Sequence, residues 1–176
     1  MASLLLQKVD LTSEQSEIVF SGITGFADLM LIMCLRSNNN AASDGVAFAL
    51  NGVIDGFTSI ERYTSINSTT TLADQVVVSQ TNEYVGGRCP SASTASGAKS
   101  TTKVMIPSYS ESGWPKCLLA EYSQVLLTGT PATTWLGKVG TTWSSTVPVN
   151  EIAIYPADGS AWEAGSVATL YGLQAA

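Results

Sequence analysis

Apolar residues fall in short runs along this chain, either alternating with polar residues or filling the run, and small turn-forming residues separate them. Runs of this kind lie at 3–9, 17–20, 28–37, 46–52, 57–64, 75–85, 101–109, 117–127, 133–139, 150–156 and 166–173. They are rich in Val, Ile, Thr, Tyr and Leu, the residues that suit a pleated, half-buried surface. Asp44-Gly45, Asn51-Gly52, Asp55-Gly56, Gly86-Gly87 and Asp158-Gly159 mark the breaks, and such dipeptides accept left-handed turn conformations. In the run at 150–156, Ile152 and Ile154 point one way while Glu151, Ala153 and Tyr155 point the other, which predicts a strand with one buried face. LMLIMCL at 29–35 is apolar on both faces. It is expected at the centre of a sheet or beneath a partner chain. Ser13 to Glu17 has the start of a helix, but Phe20-Ser21-Gly22 follows at once, so a turn is expected there.

Many short strands at even spacing predict an all-β fold, an antiparallel β-sandwich or barrel occupying residues 1–176 as a single domain. A chain of 176 residues buries roughly 70% of its unfolded surface, enough for a core without cross-links. The stretch PSASTASGAKSTT at 90–102 reads as a flexible surface loop by composition, and no internal repeat is present.

Only 12% of the residues are charged, about half the usual share, and Ser, Thr, Asn and Gly supply most of the surface polarity. Such a surface costs little to desolvate when two copies meet, so assembly is favoured. The net charge is −6 and the eight basic residues are scattered, which argues against nucleic-acid binding. No apolar run is long enough to cross a bilayer as a helix, and MASLLLQKVD lacks the basic start and apolar core of a secretory signal. Cys34, Cys89 and Cys117 are odd in number and widely spaced. Buried or free thiols in a reducing cytoplasm are expected rather than a disulfide framework.

The chain has no histidine, so Ser-His-Asp and Cys-His nucleophilic systems and imidazole metal sites are excluded. The cysteines have no zinc spacing, and no window holds the acids at alternating positions that calcium requires. No metal or cofactor is expected. Gly137-Lys138 lacks the preceding glycine and following Ser or Thr of a phosphate loop. Carboxylates remain as catalytic material, among them Glu111, Glu121, Glu151 and Glu163, but Asp44, Asp55 and Asp158 each precede Gly and read as turn residues. Asn67-Ser68-Thr69 matches a glycosylation acceptor by chance in a Ser/Thr-rich chain. Among the tryptophans, Trp135 sits on a strand-like run and is expected in the core. Trp114, in the turn-rich SGWPK, and Trp143, near the end of a Thr/Ser run, are the candidate interface residues, since tryptophan often anchors an interface.

The final segment, IAIYPADGSAWEAGSVATLYGL at 152–173, resembles the C-terminal signature of small tailed-phage virion structural proteins: a strand of alternating Ile, a turn, an aromatic followed by x-Ala-Gly-Ser, and a last strand ending Leu-Tyr-Gly. The beginning is similar to the same family through Leu11-Thr12-Ser13, Ile18-x-Phe20, Phe26-x-Asp28-Leu29 and Arg36-Ser37, with Ile106-Pro107-x-Tyr109 later. Trp162 stands where the family has Phe, and residues 66–100 diverge. The resemblance implies a jelly-roll-like sandwich and a structural role on the virion. Absence of heptads and collagen-like repeats, together with a single domain from Met1 onward, favours a capsid decoration or cement protein over a tail-associated receptor-binding, carbohydrate-binding module. The implied partners are the major capsid protein of the assembled shell and further copies of the chain as a homotrimer, on the capsid surface, after synthesis in the host cytoplasm. Ala164-Gly165-Ser166 is expected to bend the chain before a last strand in which Leu170 enters the core.

Overall fold

The computed structural model describes residues 3–67, 71–79, 81–83, 85–126, 132–158 and 161–174. Strand formation follows the alternation in the sequence most plainly at Lys116–Leu126, where residues on one side are buried in turn and those on the other are exposed or half-buried. In chain order the strands are β1 (Ser3–Asp10), β2 (Ile18–Ser21), β3 (Asp28–Cys34), β4 (Ser43–Leu50), β5 (Phe57–Asn67), β6 (Thr71–Ser79), β7 (Arg88–Pro90), β8 (Thr101–Ile106), β9 (Lys116–Leu126), β10 (Thr133–Trp143), β11 (Glu151–Pro156) and β12 (Val167–Leu173). No helix forms among the described residues.

All pairings are antiparallel. The large sheet has eight strands in the order β1-β12-β3-β8-β9-β10-β5-β6, and the small sheet has four, β2-β11-β4-β7. The first four strands of the large sheet and all four of the small one trace a jelly roll, because the chain passes between the sheets at β1 to β2, β3 to β4, β7 to β8 and β11 to β12. The other four strands are two inserted hairpins. β5–β6 leaves between β4 and β7, β9–β10 leaves between β8 and β11, and both extend the large sheet beyond β8.

The core lies between the sheets. Phe20, Phe48, Leu50, Ile152 and Ile154 of the small sheet face Leu29, Leu31, Met33, Val104 and Leu170 of the large one, all essentially inaccessible. Burying each such side chain stabilises the fold by about 1.5–3 kcal/mol before the cost of ordering it. β3 is flanked by β12 and β8, the central place expected of an apolar strand, yet Met30, Ile32 and Cys34 point outward and nothing in this chain covers them fully.

Several expectations change. The run at 75–85 does not continue as one strand: β6 ends at Ser79, and Gly87, at φ +79°, packs its backbone where Tyr122 leaves no room for a Cβ. Asp44 is not a turn residue. It lies in β4 and pairs with Cys89, because Gly45 carries the ladder on to Arg88. Gly137 and Lys138 sit mid-strand in β10, with no phosphate loop about them. Residues 68 and 69 of the acceptor triplet lie outside the described residues. Gly172 permits a close approach, since the Phe26 ring lies 2.3 Å from where its Cβ would stand.

Candidate functional site

The family-like residues from three parts of the chain meet at one end of the sandwich. Ser166 is fully buried, and its hydroxyl accepts from Arg36 N at 3.2 Å and donates to Arg36 O at 3.3 Å. Glu163 N donates to Arg36 O, Gly165 N donates to Leu11 O, and Leu11 N donates to Ser166 O. Gly165, at φ +81°, makes the bend. Trp162 is buried, donates its indole N–H to Ile154 O at 3.0 Å, and bridges to both Gln15 and Ser37. Leu-Thr-Ser, Arg-Ser and x-Ala-Gly-Ser therefore build a joint of the fold.

Arg36 is the centre of that joint. Its guanidinium is only 6% exposed, pairs with Glu163 at 2.7 Å, and donates to the carbonyls of Ala95 at 2.8 Å and Thr94 at 3.1 Å. Longer bonds reach Ala92 and Ala98. The stretch that composition marks as a flexible loop is thus wrapped around a buried cation that satisfies its carbonyls. Composition reports the side chains of such a segment, and small side chains leave the backbone free to do this.

The tryptophans separate. Trp114 is 75% exposed, as an interface residue must be, on the turn between β8 and β9, where its carbonyl accepts from Lys116. Trp143 is 1% exposed, which corrects its candidacy: it stacks on Phe57 and donates to Asp55 O at 3.1 Å, so it belongs to the core. Trp135 is half-buried and stacked at 5.0 Å on Tyr63, with the Arg88 guanidinium over both rings. Beneath them Glu61, 1% exposed, takes a forked pair from Arg88 and a 2.5 Å bond from the Tyr122 hydroxyl. Burial, then the neighbouring Glu61 charge, pushes the Tyr122 hydroxyl pKa far up. This network ties the inserted hairpins to β7. No group of three or more potential metal ligands occurs among the described residues.

The outer face of the large sheet is left to solvent. Directly paired residues of antiparallel strands point to the same face, so the registers define rows across the sheet. In one row Leu5 pairs with Tyr171, Tyr171 with Met30, Met30 with Met105 and Met105 with Leu119. Leu119 then pairs with Gly140, Gly140 with Ile60 and Ile60 with Val78. Every member is apolar or glycine, across all eight strands and about 34 Å at the usual strand spacing. Leu5, Leu119, Ile60 and Val78 are each more than half exposed. A contiguous apolar strip of this length is characteristic of a surface that another molecule covers. Sequence alternation reveals each strand's outward residues, but only the register aligns them.

The next row is charged at its middle. Glu121 accepts from Lys103 at 3.0 Å and Lys138 at 2.8 Å, so two ammonium groups share one carboxylate. Hydrogen bonds from Lys138 and Lys103, helped by their charges, hold the Glu121 carboxyl at about 2. Because this folded pKa lies below the ordinary 4.5, the pairing is complete above the ordinary value and is lost as pH falls through about 2. A carboxyl titration followed by NMR should place the Glu121 midpoint near that value, and Lys138→Ala should raise it. A midpoint in the ordinary carboxylate range in the parent protein would show that the triad does not form.

The three thiols are free and differ in access: Cys117 is exposed, Cys34 half-buried and Cys89 buried. Burial, then the neighbouring Asp44, pushes the Cys89 thiol pKa far up. A thiol reagent should modify Cys117 first, Cys34 more slowly and Cys89 only on unfolding; rapid labelling of Cys89 in the native protein would contradict this burial.

No protein-family model matches the chain, and no curated protein matches it.

Proposed function

We propose that this protein is a structural component of a phage virion, a capsid decoration protein that forms a homotrimer and binds the major capsid protein of the assembled shell. The observation that carries the reading is the apolar row crossing the outer face of the large sheet, a surface of interface character. Two further features support it. The jelly roll leaves the family-like residues inside a structural joint rather than in a cleft, and the neutral Ser/Thr-rich surface favours many modest contacts. Hydrogen bonds of about 0.5–1.5 kcal/mol each bind weakly at one site, but three copies on three equivalent shell positions gain about 10²–10⁴ in avidity. Synthesis in the host cytoplasm followed by attachment to the capsid surface is the matching localisation.

A second reading, a tail-associated carbohydrate-binding module, is favoured by Trp114, whose indole is 75% exposed and could serve as a platform for a sugar ring. Imaging of intact particles carrying a labelled copy of this chain separates the two. Label distributed over the shell supports decoration, and label confined to the tail supports the module.

A further inference from the structure

A second apolar patch lies where the chain crosses from the small sheet to the large one. There the turn between β4 and β5 exposes Val53 (44%) and Ile54 (55%). Asn51 fastens this turn to the β10–β11 connection: its amide donates to Pro148 O at 2.8 Å and its Oδ1 accepts from Asn150 N at 2.8 Å. Val147 on that connection is 49% exposed. Asp55 and Glu151 border the patch, and neither makes an ion pair among the described residues. One surface is thus apolar with excess ammonium groups at its centre, and the other is apolar with a carboxylate border.

We infer that the outer face of the large sheet in one copy receives the Val53–Ile54 turn of the next copy, so that protomers join head to tail. The inference rests on the reading that the protein self-associates and specifies the surfaces. Charge selects the occupant. Stacking two large-sheet faces on each other would bring two triads of the same excess charge together, whereas the turn brings carboxylates to Lys103 and Lys138. Shape agrees, because Gly140 leaves a depression on this face beside Leu119 and Lys138 into which a branched aliphatic side chain fits. A head-to-tail contact of this kind generates a ring where its rotation closes.

The test is complementation, read as mass by sedimentation at micromolar concentration. One variant carries Ile60→Asp and Leu119→Asp on the face, and the other Val53→Lys and Ile54→Lys on the turn. All four residues are exposed, and a strand-type circular dichroism spectrum matching the parent's checks the fold; Leu119→Ser and Ile54→Ser are the milder pair. Each variant alone should be a monomer, and an equimolar mixture should re-associate, because an intact turn then meets an intact face. A monomeric parent, a variant that keeps the parent's mass, or a mixture that stays monomeric would each overturn the inference. If the turn variant alone stays associated and the face variant does not, two faces pair with each other instead. Shell binding is measured separately: an intact oligomer that ignores shells counts against decoration and leaves the contact standing.

Discussion

Arg36→Ala should lower the unfolding free energy by about 3–5 kcal/mol, the usual cost of breaking a buried charged pair by removing one partner. The substitution leaves the Glu163 carboxylate without its cation and strands the carbonyls of Thr94 and Ala95, which the guanidinium now satisfies. A domain of this kind has only about 5–15 kcal/mol in total, so the variant should be marginal at room temperature. The damage should appear first around residues 92–98, as faster amide exchange there than in β9. Urea denaturation measures the loss, and a change under about 1 kcal/mol would mean that the loop does not depend on Arg36.

Glu61→Ala should cost a similar amount, about 3–5 kcal/mol, for a different reason. It removes the carboxylate that the Arg88 guanidinium, 16% exposed, grips beneath Tyr63 and Trp135, and removes the acceptor of the Tyr122 hydroxyl. The guanidinium also lies over the stacked Tyr63 and Trp135 rings, so its release should loosen the stack and near-UV circular dichroism should lose aromatic signal as well. The double variant Glu61→Leu with Arg88→Met should be less destabilised than Glu61→Ala alone, because no buried charge is then left unpaired. A double variant that loses as much as both single changes together would show that the pair contributes net stability rather than mutual neutralisation.

Fold class was legible because it depends on local pattern. The alternation in β9 and β11, the turn dipeptides at Asn51-Gly52 and Asp55-Gly56, and the two-sided apolar run of β3 each carry their own meaning. Leu170 enters the core as its alternation predicts. Features that depend on register or distant contact were hidden. The eight-strand row exists only once Leu119 is known to lie between Met105 and Gly140. Trp143 looks exposed in a Thr/Ser run, yet its ring fills a place beside Phe57 that no local signal announces. Glu61 and Arg88, 27 residues apart, carry no local signal of their pairing, and β7, at three residues, is too short to show a period. Arg36 was visible only as half of a family-like dipeptide, and its hold on the 92–98 backbone could not be read from the small side chains there.

The proposed role is tested most directly by mixing the purified protein with undecorated phage shells and, separately, with host surface polysaccharide, at low and high salt. Saturable binding to shells is expected, changing only mildly with salt because few charge pairs are involved, with no binding to polysaccharide. Saturable binding to polysaccharide and none to shells would place the protein on the tail as a receptor-binding module instead.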